Sequence, residues 1–573
     1  MEKSRIGVYV CWCGSNIAKM VDVEAVAEDI ARLPNVVISK NYKYMCSDPG
    51  QELIINDIKE QKLNRVVVAA CSPRIHELTF RKALSNAGLN PYLFEMANIR
   101  EQVSWVHTDR DKATSKAKDL IRAAVTRVNF HEPLDKRFVE IRPATMVVGG
   151  GVAGMSAALE IADGGKPVYL VEREHDLGGR VGAIDLTAPY MASARQMLDP
   201  MIDRVKEHPN IALHTESEID EVFGYVGNFT CKIKHKRGRE EEVEFGNIIV
   251  ATGLKAFDPS GLDHYGYKKF PNVVTSLEFE AMLKAGRILT KGGDIPRHVA
   301  IIHCVGSRDK NTHEYCSRTC CMTALKYADM VKTALPRTHV YDLYTDMRSF
   351  GKGCEEFYAA CSRKNVLFLA FDKEDQPVVT EAPADDDCLM LVEMNEILSG
   401  EEIQVPADLV ILMVGSEAQE NAKAMSHQVG ISMCGNAFFI EKHPKLDPVA
   451  TTTDGVYIAG TCQGPKDIPD SIAQARAAAA RILATISQGE VEVEVTTASV
   501  NEELCCGCQF CIQVCPYGAV SFDAEKGVSV VNEVLCKGCG TCGSTCPSGA
   551  IRSRHFTDQQ IMSQIEGLMS MEG

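Results

Sequence analysis

Nine of the 23 cysteines in this 573-residue sequence lie between Cys505 and Cys546, and eight of them form two copies of one motif. Each copy has the spacing C-x2-C-x2-C-x3-C-P. Three thiolates on one short loop can face a single iron–sulfur cubane, and the fourth ligates the other cubane. Zinc motifs use pairs of cysteines instead. We predict two 4Fe–4S centres, one held by Cys505, Cys508, Cys511 and Cys546 and the other by Cys536, Cys539, Cys542 and Cys515, with Cys506 as a spare thiol.

Two further groups of four cysteines have less decisive spacing. One group falls within 18 positions, although adjacent cysteines are an unusual ligand pair. In the other, the cysteines follow two predicted parallel strands, whose carboxyl ends share one edge of a sheet. For the first group, spacing alone leaves open a cluster or else inert or zinc-binding thiols. For the second, it leaves open a cluster or buried cysteines that pack as small hydrophobes. The groups are Cys304, Cys316, Cys320 and Cys321, and Cys11, Cys13, Cys46 and Cys71.

A glycine-rich loop predicts a dinucleotide site. Met146–Gly154 reads MVVGGGVAG and is followed by a helical stretch, with Gly149, Gly151 and Gly154 in the G-x-G-x-x-G pattern. These glycines permit a tight turn, a close approach to a pyrophosphate and close helix packing, and Val152 and Ala153 open the helix on which phosphates sit. The next strand, Val168–Val171, leads to Glu172 and Arg173, where an acidic side chain binds ribose hydroxyls.

Three other segments favour FAD over NAD. Asn247–Gly253 (NIIVATG) ends in Ala251, Thr252 and Gly253, and returns the chain to the cofactor. Gly455–Thr461 (GVYIAGT) is typical of a late flavin-binding strand and supplies Gly460 and Thr461, although aspartate is usual at the position of Thr461. Gly178, Gly179 and Arg180 match a loop that runs under the flavin. The later strand Val299–Cys304 runs into CVGSRD with no glycine motif, so we expect no nicotinamide site there.

The elements that position these residues alternate strands and helices. Ile6–Val10 and Arg65–Ala70 read as buried parallel strands, Val21–Leu33 and Ala113–Val128 as helices, Ser487–Val500 as a linker and Asp558–Met571 as a helical tail. We predict five segments: 1–135, an N-terminal α/β iron–sulfur domain; 136–290 and 391–486, two parts of an FAD domain; 291–390, an inserted NAD-domain-like subdomain; and 487–573, a two-cluster domain with its tail.

Composition narrows the function classes. The sequence has 61 basic and 77 acidic residues, a net charge of -16, which disfavours nucleic-acid binding through the phosphate backbone. No apolar run approaches the ~18–20 residues of a membrane span, and the N-terminus lacks the apolar region of a signal peptide, so we expect a cytoplasmic protein.

The scattered cysteines are expected to be core or surface thiols; they are Cys231, Cys354, Cys361, Cys388, Cys434 and Cys462.

Together these motifs resemble the A-type chain of heterodisulfide reductase. The resemblance spans essentially the whole sequence and rests on C-x-C-G, CSP, GGGVAGMSAA, CVGSRD, YCSRTCC, GKGCEEFY, GTCQGPKDI and the double cysteine motif. It implies an α/β fold: a thioredoxin-reductase-like flavoprotein with two dinucleotide-binding domains, an N-terminal α/β domain and a C-terminal two-cluster ferredoxin domain of α+β type. It also implies clusters at all three cysteine groups, hence about four 4Fe–4S clusters beside FAD.

The resemblance further implies an oxidoreductase in which flavin-based electron bifurcation splits a two-electron donor into one high-potential and one low-potential electron. The family's lysine near the flavin corresponds to Lys326, which helical geometry alone would leave as a solvated side chain. Implied partners are the B- and C-type subunits of heterodisulfide reductase, a hydrogenase- or dehydrogenase-type input subunit, ferredoxin and a second copy of the chain. A-type subunits also occur in other assemblies, such as aryl-CoA reductases. Long members carry an inserted ferredoxin module that this sequence lacks between Gly154 and Leu483.

Overall fold

The computed structural model describes residues 3–493 and 495–569, which form two compact units. Unit 1 combines the described residues up to Val139 with those from Glu492 onwards, and unit 2 runs from Glu140 to Val491. None of the helices in the described part of the chain is long and apolar enough to cross a membrane.

The N-terminal part of unit 1 is a four-stranded parallel sheet with helices on it, in the strand order β2-β1-β3-β4. The inner strands are buried along nearly their whole length, as expected for a parallel sheet covered on both faces. The elements are β1 (Ile6–Cys11), α1 (Val23–Ile30), β2 (Val36–Tyr42), α2 (Asp48–Glu60), β3 (Arg65–Ala70), α3 (Pro73–Asn86), β4 (Phe94–Asn98), α4 (Arg110–Val128) and β5 (Arg137–Glu140).

Unit 2 contains two α/β halves. Its first elements are β6 (Thr145–Val148), α5 (Val152–Asp163), β7 (Val168–Val171), β8 (Leu186–Thr187), β9 (Ala192–Ser193), α6 (Ala194–Glu207), β10 (Ile211–His214), β11 (Ser217–Tyr225), β12 (Asn228–His235), β13 (Glu240–Phe245), β14 (Asn247–Val250) and β15 (Leu254–Ala256). Those of the second half and the return are β16 (Val273–Thr275), α7 (Ser276–Lys284), β17 (His298–Val305), α8 (Cys320–Ala334), β18 (His339–Tyr344), α9 (Cys354–Arg363), β19 (Val366–Ala370), β20 (Val378–Glu381), β21 (Met390–Glu396), β22 (Glu401–Ala407), β23 (Leu409–Val414), β24 (Ser416–Ala418), α10 (Ala422–Val429), β25 (Val456–Ile458), α11 (Ile468–Gln488) and β26 (Glu490–Val493).

Each half is built on a five-stranded parallel sheet. The first has the order β10-β7-β6-β14-β25 and the second β16-β23-β17-β18-β19. A three-stranded antiparallel sheet accompanies each one, β11-β12-β13 and β20-β21-β22. This second sheet extends beyond the predicted range 291–390 on both sides, because β23 pairs with β17 from outside that range and β16, at the edge, pairs with β23. The short strand β16 has no sequence signal of its own and is defined by its pairing with β23.

The C-terminal part of unit 1 begins within the predicted linker. Residues 490–493 form β26 and Ala498–Val500 form a strand, so most of Ser487–Val500 is structured, while Glu494 lies outside the described residues. The elements are β27 (Ala498–Val500), α12 (Phe510–Gln513), β28 (Val520–Asp523), β29 (Val528–Val531), α13 (Thr541–Thr545), β30 (Ile551–Ser553) and α14 (Asp558–Met569). The predicted end of the last helix, at Met571, lies outside the described residues.

The segment that follows the cysteine motifs packs against helix α4 within unit 1. The Arg127 guanidinium donates a hydrogen bond to His555 O at 2.8 Å, and the Gln560 amide donates one to Phe130 O at 2.9 Å. The rings of His131 and His555 stack with centroids 4.4 Å apart. These contacts join the two ends of the chain in one unit, a grouping that the sequence analysis does not predict.

Candidate functional site

The loop between β6 and α5 is shaped to receive a pyrophosphate. Gly149 has φ +113°, and a Cβ there would lie 2.4 Å from Ala251 O. A Cβ at Gly154 would lie 1.8 Å from Gly149 O, so no side chain fits at that position. Gly151 differs, because a Cβ there would meet nothing within 4 Å. That open space faces the start of α5, whose first N–H groups, at Val152 and Ala153, have no side-chain cap and suit a phosphate.

The other predicted flavin segments surround this loop. A Cβ on Gly179, which follows Gly178, would lie 3.2 Å from Gly151 Cα, and one on Gly460 would lie 2.7 Å from the Ala153 Cβ. On the return from β14, Thr252 Cα is 3.3 Å from the Cβ position of Gly149. The structure therefore brings the first, second and late segments together around one cradle.

Three predicted residues have contacts that refine their roles. Glu172 accepts hydrogen bonds from the N–H groups of Gly150 at 2.6 Å and Glu174 at 2.9 Å, so its carboxylate is fixed beside the loop. Arg173 is exposed and its guanidinium contacts Gln419 at 3.4 Å. The Thr461 hydroxyl oxygen lies 3.8 Å from the Cβ position of Gly253, so it borders the cradle. An exposed arginine held in this way is better placed at the rim than in the cradle.

Lys326 is buried, not solvated. Its side chain is only 4% exposed, and its ammonium donates hydrogen bonds to Glu280 Oε2 at 2.6 Å and to Leu186 O at 3.1 Å. Burial lowers the pKa of Lys326, and the charge of Glu280 opposes that shift. Glu280 also accepts the Asp185 N–H at 2.9 Å. The pair thus ties α7 and α8 to the segment that follows the Gly178–Arg180 loop.

Helix α8 begins at one of the cysteine groups. Cys304 is the next-to-last residue of β17, and Cys320 and Cys321 start α8, with Cys316 in the loop between them. Burial raises the pKa of Cys304 and Cys320, and the neighbouring thiols raise both further, so the four sulfur atoms are close enough to interact. Arg180 interacts electrostatically with Cys320, which connects this group to the flavin loop.

A buried ion pair accompanies the same group. His303 Nε2 lies 2.9 Å from Asp342 Oδ1, and neither side chain is exposed. Burial lowers the pKa of His303, but Asp342 and Cys321 outweigh it and hold that pKa well above its usual value. In return, although burial raises the pKa of Cys321, its interaction with His303 brings that pKa below its usual value. A cationic imidazole therefore faces one thiol of the group.

The N-terminal cysteines meet at the carboxyl edge of the first sheet. Cys11 ends β1 and Cys71 follows β3, as the strand pattern predicts. Cys11 accepts hydrogen bonds from the N–H of Cys13 at 3.3 Å and of Met45 at 3.4 Å. Burial raises the pKa of Cys71 to about 12 and that of Cys46 above its usual value, and in both cases the nearby Cys13 raises it further.

The two C-terminal motifs surround small helices in unit 1. Cys515, Cys536, Cys539 and Cys542 line one small cavity, which matches the predicted ligand set. For the other set, the Ser529 N–H donates to Cys505 at 3.4 Å, and its hydroxyl contacts Cys511 at 3.2 Å. None of the 23 cysteines, all within the described residues, forms a disulfide.

These groups fit the cofactors that the sequence predicts. At the two groups outside the C-terminal module, burial disfavours the thiolate at most positions, and a positive iron centre is the kind of partner that lets such thiols ionise. Where the motif repeats, backbone N–H groups point at the sulfur atoms, which suits a cluster bound as thiolates. The open space at Gly151 fits a pyrophosphate and hence FAD.

Sequence reasoning missed several residues that contact these groups. Glu280 lies 46 positions from Lys326, and only the packing of α7 against α8 brings them together. Arg100 donates to Cys13 Sγ at 3.4 Å and follows the end of β4, so the strand-edge rule that found Cys71 would also have found it. Lys466 donates to Gly460 O at 2.7 Å and lies inside the quoted motif GTCQGPKDI.

Comparisons with known proteins agree with this geometry. The pyridine nucleotide-disulphide oxidoreductase family matches residues 143–302, and the 4Fe-4S dicluster domain family matches residues 504–550. The A-type chain of the H(2):CoB-CoM heterodisulfide,ferredoxin reductase of Methanothermobacter marburgensis is 43% identical, with 100% of this chain and 98% of the relative covered. This chain belongs to the family of A-type heterodisulfide reductase subunits.

Other family members show the same extent of similarity. A second A-type iron-sulfur chain, from the CoB--CoM heterodisulfide reductase of Methanopyrus kandleri, is 42% identical, with 99% of each chain covered. Among solved structures, the T. acidophilum thioredoxin reductase matches 60% of this chain and 99% of its own at 16% identity and a TM-score of 0.41, a likeness too weak to support a conclusion. The predicted family, fold class, oxidoreductase activity, FAD and 4Fe–4S clusters are confirmed, and the chain is an electron-transfer flavoprotein of the heterodisulfide reductase type.

The alignment also shows what this family member lacks. It runs over 653 positions for a chain of 573 residues, a difference of 80, so the relative has residues with no counterpart in this chain. This agrees with the absence of a further cysteine module from the sequence between Gly154 and Leu483.

Proposed function

We propose that this chain is the flavin subunit of a larger reductase complex and that it performs flavin-based electron bifurcation. In this proposal, electron pairs from a two-electron donor are divided between a low-potential ferredoxin-type acceptor and a high-potential acceptor. The proposal includes four 4Fe–4S clusters, one at each cysteine quartet, with Lys326 as a catalytic residue beside the flavin. The observation that supports it best is that Lys326, on the helix that starts at Cys320 and Cys321, is buried and paired with Glu280 of α7.

FAD supplies a centre that takes up electrons in pairs and passes them on singly. The residues of the chain prepare its surroundings. Lys326 places a positive charge at Nζ and holds Leu186 O, while Glu280 offsets the cost of burying that charge. Arg180, at the flavin loop, interacts with Cys320, so one side of the flavin site is continuous with a cysteine group. Such continuity suits single-electron transfer between flavin and cluster.

The partners in this proposal follow the family. The names of relatives mention H2, formate, F420H2, ferredoxin and CoB-CoM heterodisulfide. We infer B- and C-like subunits as the route to the high-potential acceptor, a hydrogenase- or dehydrogenase-type subunit for electron input, ferredoxin as low-potential acceptor, and a dimer of the flavin subunit. An aryl-CoA reductase type of complex fits the same flavin subunit.

The test of bifurcation is strict coupling between the reduction of the two acceptors. The anaerobically purified complex is given its electron donor with ferredoxin, with the high-potential acceptor, or with both. Bifurcation predicts that the two acceptors are reduced in equal electron amounts together and that omission of either one stops reduction of the other. In Lys326→Gln, ferredoxin reduction should fall by about tenfold or more, equivalent to about 1.4 kcal/mol in the barrier.

The matched control is Lys332→Gln. This residue lies on the same helix, but its ammonium donates to two backbone oxygens near the helix end, Pro336 O at 3.2 Å and Thr338 O at 2.9 Å. It should leave coupling unchanged. Coupled reduction by Lys326→Gln at the wild-type rate would remove Lys326 from the mechanism.

A second candidate is a non-bifurcating conduit that relays electrons between partner subunits. It is favoured by the 80 alignment positions that this chain does not fill and by the absence of a further cysteine module from its sequence between Gly154 and Leu483. In that case a single acceptor is reduced at full rate without the other. The coupling assay therefore separates the two candidates directly.

A further inference from the structure

Two histidines and a glutamate converge in unit 2 outside the flavin and cluster sites. His214 ends β10, His235 ends β12, and Glu241 is the second residue of β13. One ligand atom from each of the three side chains lies within 4.8 Å of the other two. All three side chains are partly buried. Residues from three strands thus meet at one point.

Each of the two imidazoles has a nitrogen without a partner. The imidazole centroids of His214 and His235 are 5.5 Å apart. Both Nε2 atoms are buried and have no hydrogen-bond partner among the described residues. A buried polar nitrogen without a partner destabilises the fold, so two of them close together call for a ligand. Two such nitrogens in one place point to a ligand that accepts lone pairs, as a metal ion does.

The tautomer of His235 is set by its neighbour. The Ser217 hydroxyl has one hydrogen and donates it to Thr215 O at 2.7 Å. Ser217 Oγ also lies 2.7 Å from His235 Nδ1, so in this contact the oxygen accepts and Nδ1 carries the proton. A neutral imidazole has one N–H, so the Nε2 of His235 keeps its lone pair. Metal-binding histidines are oriented in this way, with the other ring nitrogen donating to an oxygen.

Glu241 supplies the negative charge. One of its oxygens pairs with Arg239 at 3.0 Å, but the arginine side chain is 73% exposed, so that pair is weak and leaves the second oxygen free. Two imidazoles and one carboxylate are a ligand set used for zinc, with the fourth position left to water. Zinc bonds of about 2.0–2.1 Å put neighbouring ligand atoms about 3.3 Å apart, which small side-chain movements reach from the observed spacing.

We propose that His214, His235 and Glu241 bind a divalent transition-metal ion of the zinc type. The ion would connect β10, an edge strand of the first parallel sheet, to the antiparallel sheet β11-β12-β13. It would also act next to the flavin cradle, because His214 O accepts the N–H of Glu172 at 2.8 Å. The role is structural: it fixes the strand end beside the carboxylate that borders the loop. The proposal does not depend on electron bifurcation.

Zinc is the probe for the test. The full-length protein, loaded with flavin and clusters, is incubated anaerobically with zinc, passed over a chelating resin and analysed for zinc content and by zinc X-ray absorption. We expect one zinc per chain with nitrogen and oxygen ligands at about 2.0–2.1 Å and no sulfur at about 2.3 Å. Sulfur ligands would mean that zinc has occupied cysteines instead, and that result overturns the proposal.

Matched variants complete the design. His235→Gln and Glu241→Gln should lose the zinc, whereas Glu242→Gln, whose side chain points to the opposite face of the same strand, should retain it. Ser217→Ala should weaken zinc binding by about tenfold or more in competition with a chelator, because the ring loses its orienting contact. Flavin content and absorbance confirm that each variant folds. Retention of nitrogen- and oxygen-bound zinc in both His235→Gln and Glu241→Gln would place the metal elsewhere.

Discussion

The C-terminal cluster module and the cysteine group of the flavin unit hold their thiols in different ways. In the module, the ligands come from short loops around α12 and α13, and Cys508 and Cys539 are exposed. In the flavin unit, a strand end supplies Cys304 and a helix start supplies Cys320 and Cys321, and none of the group is exposed. The module is a local motif that brings its own loops, whereas the second group exists only when the whole α/β half has folded.

The groups that contact the thiols also differ between the two regions. Backbone N–H groups and hydroxyls contact the thiols of the module, as Ser529 does with Cys505 and Cys511. Charged side chains surround the flavin-unit group: His303 faces Cys321, and Arg180 interacts with Cys320. Exposed clusters with neutral donors suit exchange with a partner protein, while a buried group beside charged residues suits control of electron transfer to and from the flavin.

The largest expected effect comes from removal of one thiol in each region. Cys539→Ala and Cys320→Ala should each lower the iron content by about four atoms out of about sixteen, because each removes one ligand of a 4Fe–4S cluster. The exposed cysteines Cys506 and Cys434 serve as controls, since neither belongs to a proposed quartet. Iron and flavin analysis of anaerobically purified protein measures the result.

The iron content also tests the comparison itself. If the wild-type protein holds about eight irons per flavin, only the two clusters of the C-terminal module are present. In that case Cys320→Ala would leave the iron content unchanged, and the buried thiols of the flavin unit would be structural.

The difference between the two regions explains which cluster ligands could be predicted from the sequence and which could not. The ligand sets of the module follow from spacing, because every contact that matters is made within a short stretch. The β3 strand and the Gly149–Gly154 loop are equally local, and the structure has both at the predicted positions. Spacing alone does not decide whether Cys304 and its neighbours bind a cluster, because a strand end and a helix start become neighbours only through sheet topology.

Lys326 shows the limit most clearly. Its helical position predicts a solvated side chain, and only the family resemblance indicates otherwise. Its burial depends on Glu280, which reaches it from α7. A charged residue on a helix is buried only where a partner of opposite charge is packed against it, and no sequence pattern announces that partner. The packing of α14 on α4 likewise joins distant parts of the chain, so no sequence pattern predicts it.

A second experiment compares two lysine–glutamate pairs, one from each region. Lys326–Glu280 is buried, with 2.6 Å between the charged atoms, and Lys526–Glu502 in the module is exposed, with 2.8 Å between them. Lys326→Met leaves a buried carboxylate without its partner and should cost about 3–5 kcal/mol, several degrees in the unfolding midpoint of the flavin unit. Lys526→Met should cause no measurable change, because water already solvates both groups. Thermal release of flavin fluorescence measures the effect of Lys326→Met, and loss of cluster absorbance on heating measures that of Lys526→Met.

The double variant distinguishes the ion pair from simple packing. Lys326→Met combined with Glu280→Gln should regain part of the lost stability, because the unpaired buried charge is gone. A single Lys326→Met variant with the wild-type midpoint would show that the lysine is solvated in solution, and the contrast between the two regions would disappear.

The smallest expected effect concerns the neutral donors of the module. Ser529→Ala removes the hydroxyl near Cys511 but keeps the backbone N–H that donates to Cys505. A ligated cysteine is a thiolate, and a donor to its sulfur favours the reduced, more negative cluster. Loss of a hydrogen bond worth about 0.5–1.5 kcal/mol should therefore lower the reduction potential by about 20–60 mV. Potentiometric titration followed by EPR measures the shift.

Ser521→Ala, an exposed serine on β28, is the control and should leave the potential unchanged. An unchanged potential in Ser529→Ala would mean that the fold of the module, and not its individual donors, sets the cluster potentials, so that the two regions differ in burial alone.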